Sequence, residues 1–136
     1  MPDLTKSLNE LEAEDWGDPN YDSYLFSTVH RLRRKPLREF TVEDLRLMIG
    51  QSISIPVLLP LALQQLETNP LVSGDYYPGD LLAACIRLDR QLLQSHPHLL
   101  SQLRARADSA VSALYKHEAP SELRADLKAF LSWAAA

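Results

Sequence analysis

Apolar residues recur along this chain at helical spacing almost from end to end. Leu4, Leu8 and Leu11 stand at i, i+4 and i+7, with Thr5, Lys6, Asn9, Glu10 and Glu12 facing outward between them. That is the pattern of a short amphipathic helix. Gly17 can supply a left-handed exit from it and Pro19 forbids continuation. A second helix is predicted over 22–34, capped by Asp22 or Ser23, with Leu25, Val29 and Leu32 as its inner stripe and Phe26 in support. An extended connector, 36–40, follows. Thr41 with Asp44 three residues later has the spacing of a capping box, and Phe40 with Leu45 that of a hydrophobic staple. The third helix therefore runs over 41–51, with Leu45, Met48 and Ile49 toward the core and Gly50 at its exit.

The fourth helix, about 55–68, is apolar on nearly all sides in its first half, which predicts a central element surrounded by others. Pro56 fits a first helical position, with Ser54 as a candidate cap. Pro60 removes one backbone hydrogen bond and predicts either a kink or a start nearer Leu58. After a loop over 69–79, Asp80 is placed to cap a helix over 81–93 that buries Leu82, Cys85, Ile86 and Leu93. Pro97 opens a long helix to about His117, and a last helix begins at Pro120–Ser121. The expectation is an all-α fold: one domain over 1–136, a compact bundle of about six or seven helices around the helix at about 55–68.

Composition narrows the setting. A chain of 136 residues buries enough surface to fold without a metal or disulfide. Cys85, the only cysteine, lies in an apolar helical run and reads as a buried, inert thiol. The N-terminus has charges where a secretory signal needs an apolar stretch, and no segment approaches the ~20 apolar residues of a membrane span. These features predict a soluble cytoplasmic chain. The net charge of −4 is unevenly laid out: residues 1–22 hold seven acids and one lysine, residues 23–46 six bases and three acids, and residues 47–84 three acids and no base. Such a layout favours a cationic partner over nucleic acid.

Chemistry is sparse. There is no phosphate-cradling glycine loop, no metal-ligand pair of histidines or cysteines at working spacing, and no nucleophile motif. His96 and His98 flank a proline, and His30 has no partner at metal-ligand spacing. Asp75 and Asp80 are the only carboxylate pair worth weighing for acid–base or metal chemistry, and turn geometry and capping account for both. Two candidate contact patches remain. One is acidic and N-terminal: Asp15, Asp18 and Asp22 with Trp16, which either packs back on the fold or is presented with the acids. The other is the loop tip, Asp75, Tyr76 and Tyr77. A basic cluster, Arg31, Arg33, Arg34 and Lys35, complements the dipole at a helix C-terminus and reads as internal ion pairs or a solvated face.

Several segments taken in order resemble a known family. They are the opening Leu-Thr-Lys-Ser-Leu-Asn-Glu-Leu-Glu with Asp15-Trp16-Gly17 behind it, Arg31-Leu32-Arg33-Arg34-Lys35-Pro36-Leu37, and the stretch from Phe40 through Thr41-Val42-Glu43-Asp44-Leu45 to Gln51. Leu59-Pro60-Leu61-Ala62-Leu63, Asn69-Pro70-Leu71 and Gly74-Asp75-Tyr76-Tyr77-Pro78-Gly79-Asp80-Leu81-Leu82 complete the set. The set, from Leu4 to Ile86, resembles the small helical immunity proteins of bacterial contact-dependent growth inhibition systems; Pro56 departs from the pattern. The resemblance implies a cytoplasmic, non-enzymatic protein without cofactors. It implies one protein partner, the C-terminal toxin domain of a cognate surface-delivered effector, often a nuclease and sometimes a tRNase with a basic cleft. The chain would act as a monomer or as a heterodimer with that toxin, with no direct nucleic-acid, membrane or small-molecule partner. Toxin contacts are then expected at Asp15, Trp16, Asp18, Asp22, Asp75, Tyr76 and Tyr77. The alternatives are a general helical interaction module without a toxin partner, and a small enzyme or nucleic-acid-binding regulator using the cluster at 31–38.

Overall fold

The computed structural model describes residues 2–16, 23–114 and 120–135. Among them are eight α-helices: α1 (Leu8–Leu11), α2 (Tyr24–Arg34), α3 (Val42–Gly50), α4 (Ile55–Thr68), α5 (Asp80–Ile86), α6 (Arg90–Gln94), α7 (Pro97–Leu114) and α8 (Ser121–Ala134), with a 3-10 turn at Leu37–Glu39. There is no strand among the described residues, only an isolated antiparallel bridge between Ser73 and Pro78. The all-α expectation holds. Gly17, Pro19, Asp18, Asp22 and the far end of the helix predicted to His117 lie outside the described residues.

Local signals explain several of the helix starts. Ser7 and Glu10 form a reciprocal capping box on α1, and Thr41 and Asp44 form one on α3. Ser23, not Asp22, caps α2, its hydroxyl accepting from the Phe26 N–H. Gly50 ends α3 as its last helical residue, and Gln51 is the cap.

Four expectations are corrected. The first helix begins at Leu8 rather than Leu4, because the capping box is at Ser7; Leu4 and Lys6 instead accept the N–H groups of Arg38 and Leu37, so this stretch pairs with the 3-10 turn. The connector over 36–40 is that turn rather than extended chain. Ser54 holds the N-cap position of α4, but its side chain makes no cap bond: its φ of 51° is left-handed and its hydroxyl is engaged elsewhere. The helix over 81–93 is two helices, because Asp89 caps α6 by accepting from Gln91 and Leu92 while Leu88 turns into the core. That split makes eight helices among the described residues, where about six or seven are expected.

The core joins α4 to the shorter α5. α4 is helical from Ile55 through Pro60 to Thr68, so the start nearer Leu58 is not observed, and it buries Ile55, Leu58, Leu59, Leu61, Ala62, Leu63 and Leu66. α5 buries all but one of its residues and packs against α3, α4, α7 and α8. Cys85 lies in it, fully buried, with burial pushing its thiol up to about 12. α7 and α8 pair as a hairpin that closes over α4 and α5, and Arg87 at the end of α5 bonds Asp126 of α8 at 2.8 Å. On the other side α1 packs on α2. Phe26 does not support the inner stripe: it is 60% exposed, because it sits in the first turn of α2.

Candidate functional site

The chain between α4 and α5 is held from inside by one carboxylate. Asp80 is 3% exposed, and its two oxygens accept N–H groups from Gly74 at 2.6 Å, Tyr76 at 3.0 Å and Tyr77 at 3.4 Å. Asp80 therefore caps the loop rather than the helix it begins; Gly79 takes the cap position. Glycine is needed there because φ is +91° and a Cβ would lie 2.6 Å from Leu123. At Gly74 a Cβ would lie 2.6 Å from Glu43 Oε1, so a side chain there would displace the Glu43 carboxylate from its present position.

Glu43 fastens the loop from outside. It accepts the Asp75 N–H at 3.0 Å and holds Arg46 through two bonds of 2.6 and 2.5 Å. The Arg46 bond, with the Asp75 N–H in addition, keeps the Glu43 carboxyl below the usual glutamate range. The Arg46 guanidinium in turn lies 4.4 Å over the ring of Tyr76, which is 70% exposed. The ring is thus presented outward on a loop whose backbone is tied down at four residues, Gly74 to Tyr77. Tyr77 is half-buried against the core, and Asp75 is exposed. An open groove of about 340 Å³ runs beside them, lined by Arg46, Gly50, Ser52, Tyr76, Tyr77 and Arg87 among others.

The N-terminal patch is organised by a residue assigned above to a basic cluster. Arg33 is 1% exposed. It contacts Glu12 Oε1 at 2.7 Å, Asn9 Oδ1 at 2.9 Å and Ser54 Oγ at 3.1 Å, and it lies 4.4 Å over the Trp16 ring. Among the described residues its Nη2 has no hydrogen-bond partner, and the guanidinium, paired with Glu12, lies over the negative face of the indole. Ser54 donates onward to Glu12 at 2.9 Å, and the Trp16 ring meets the buried His30 edge-on at 5.5 Å. Trp16 is accordingly both packed and presented, with 37% of its surface exposed, and Asp15 beside it is exposed. Helical spacing does point to Arg33: it stands four residues after Val29, on the stripe that faces inward. The basic cluster is therefore no continuous face, since Arg33 turns inward and Lys35 bonds Asp44 at 2.6 Å.

Of the seven predicted contact residues, Asp15, Trp16, Asp75 and Tyr76 are exposed and Tyr77 is half-buried, while Asp18 and Asp22 lie outside the described residues. Tyr24, 79% exposed, and Phe26 add aromatic surface on α2 that the pattern alone did not mark. No group of three potential metal ligands occurs among the described residues, and no helix there is long and apolar enough to cross a membrane.

An all-helical scaffold that fixes polar and aromatic side chains outward, with several of its ionic groups engaged in tethering, suits burial against a protein partner. The chain belongs to the CDI immunity proteins, whose family model matches residues 10–103. That match carries the resemblance beyond Ile86 into α7. No curated protein matches the chain.

Proposed function

We propose that this immunity protein acts in the cytoplasm by binding the C-terminal toxin domain of its cognate growth-inhibition effector and covering or obstructing the toxin active site. The observation that carries this reading is the family match over residues 10–103. The geometry supports it: the protein needs only complementarity, and its exposed aromatics are held ready to bury. The toxin is a nuclease, of the tRNA-cleaving kind in the fullest form of the proposal. A protein of net charge −4, with seven acids in its first 22 residues, suits a partner whose cleft is built to hold polyanions. Asp15, Asp18 and Asp22 supply the acidic contacts with Trp16 beside them, and Asp75, Tyr76 and Tyr77 the loop contacts.

The test is enzymatic. The toxin domain encoded immediately upstream is purified and incubated with total tRNA, with and without this protein. Cleavage that stops near one equivalent supports the reading. Cleavage unaffected at tenfold excess rejects inhibition, and a toxin with no activity on RNA or DNA rejects the nuclease assignment.

A further inference from the structure

Three aromatic rings among the described residues lie under a guanidinium: Trp16 under Arg33, Tyr76 under Arg46 and Trp133 under Arg90. Tyr76 is the most exposed of the three, at 70% against 37% for Trp16, while Trp133 is half-buried. Fixing an exposed side chain costs entropy, and in the free protein little burial offsets it. At Tyr76 the fixing is nonetheless built in two stages from α3. Glu43 takes Nε and Nη2 of Arg46 on its two oxygens, at 2.6 and 2.5 Å, which sets the plane of the guanidinium. The Arg46 Cζ then stands 4.4 Å from the centroid of the Tyr76 ring. The main chain is held by other bonds: Asp80 accepts the Tyr76 N–H and Glu43 that of Asp75, each at 3.0 Å.

A ring fixed before contact loses less freedom when a partner covers it. Covering it also removes water from the guanidinium stack, which strengthens the stack. We infer that Tyr76 is the preorganised anchor of the toxin contact, and that Arg46, braced by Glu43, is a positioning residue acting on toxin binding through the Tyr76 ring. Arg46 and Glu43 are half-buried behind the loop, and neither is among the contact residues proposed for the toxin. The inference rests on the immunity reading.

A double-mutant cycle separates positioning from contact. Affinity for the upstream-encoded toxin domain is measured for the wild type, Tyr76→Ala, Arg46→Met and the double variant. Thermal unfolding of each variant confirms the fold. Tyr76→Ala should lose about 30-fold or more in affinity, as an anchor does. Arg46→Met should lose about threefold to tenfold while Tyr76 is present, and under about twofold in the Tyr76→Ala background, where no ring is left to position. Amide exchange at residues 74, 76 and 77 should stay as in the wild type, because Asp80 still holds them. Arg46→Lys keeps a charge beside Glu43 but offers the ring no planar group. It should lose binding in the same pattern, and it replaces Arg46→Met in the cycle if methionine prevents folding. Equal losses for the Arg46 variant in both backgrounds would give Arg46 a direct contact or a general structural role, and would overturn the inference. Wild-type affinity in Tyr76→Ala, or in the Arg46 variant with Tyr76 present, would overturn it too; each of these leaves the immunity reading intact. A wild type that does not bind the toxin overturns both.

Discussion

Replacing Asp80 by asparagine should destabilise the protein nearly as much as replacing it by alanine, although asparagine has the same shape. Both Asp80 oxygens accept: Oδ1 from Gly74 at 2.6 Å, Oδ2 from Tyr76 at 3.0 Å and, more weakly, from Tyr77 at 3.4 Å. Asparagine offers one acceptor oxygen and points an NH2 group at the other donor. One charge-assisted bond is lost, the survivor becomes neutral, and two donors face each other in a buried site. With bonds to a charged acceptor contributing about 1.5–3 kcal/mol each, the expected loss is about 2–3 kcal/mol for Asp80→Asn and about 3–4 kcal/mol for Asp80→Ala. Urea unfolding should show midpoints lower by about 1–1.5 M for the asparagine variant at unchanged slope. Hydrogen exchange should quicken first at the amides of residues 74, 76 and 77. A loss under about 0.5 kcal/mol for Asp80→Asn would refute the assignment of Asp80 as the internal clamp of the loop.

Four further outcomes are expected. Arg33→Met should raise amide exchange across residues 8–16 while α4 and α5 keep their protection, because Arg33 joins Glu12, Asn9 and Trp16 to Ser54; uniform protection across the chain would show that the N-terminal segment is held by something else. Glu43 ionises more readily folded than unfolded, so its contribution is complete above the unfolded glutamate value and is lost as pH falls through its lowered folded value. Urea midpoints from about pH 5 downward should therefore fall less steeply for Glu43→Gln than for the wild type, and parallel curves would contradict this. Reversing charge at Asp15, Asp18 and Asp22 together should slow toxin association by about tenfold at low salt and flatten its salt dependence, with dissociation changed less; stopped-flow rates equal to the wild type would remove this segment from the encounter. Cys85, buried and with its thiol raised to about 12, should resist a thiol reagent until the protein unfolds, and fast labelling of the native state would contradict its burial.

Where the sequence succeeded and failed follows from the range of the forces involved. Thr41 and Asp44, or Leu45, Met48 and Ile49, declare themselves within a few residues, so α3 and its buried face were legible. The break at Asp89 was not, because the apolar stripe of Leu82, Cys85 and Leu93 continues across it at helical spacing, and only the turn of Leu88 into the core shows the interruption. Asp80 was recognised as a cap, but its donors lie three to six residues upstream in a loop whose path the sequence does not specify. Arg33 had a local signal, its place on the inner stripe, yet its charge outweighed that spacing; Glu12 and Ser54, which make its burial tolerable, are 21 residues away on either side in sequence. The candidate residues themselves were found by composition, aromatic beside acid. How the described ones are held depends on tertiary contacts between Arg33 and Ser54 and between the loop and α3, which no local pattern encodes.

The account stands most directly on neutralisation in living cells. The toxin domain encoded immediately upstream is expressed from an inducible promoter, with this protein expressed from a second plasmid and affinity-tagged. The account predicts restored growth and recovery of a stoichiometric complex from the rescued cells. Growth arrest in cells that contain abundant folded protein, with no toxin recovered on the tag, would contradict it.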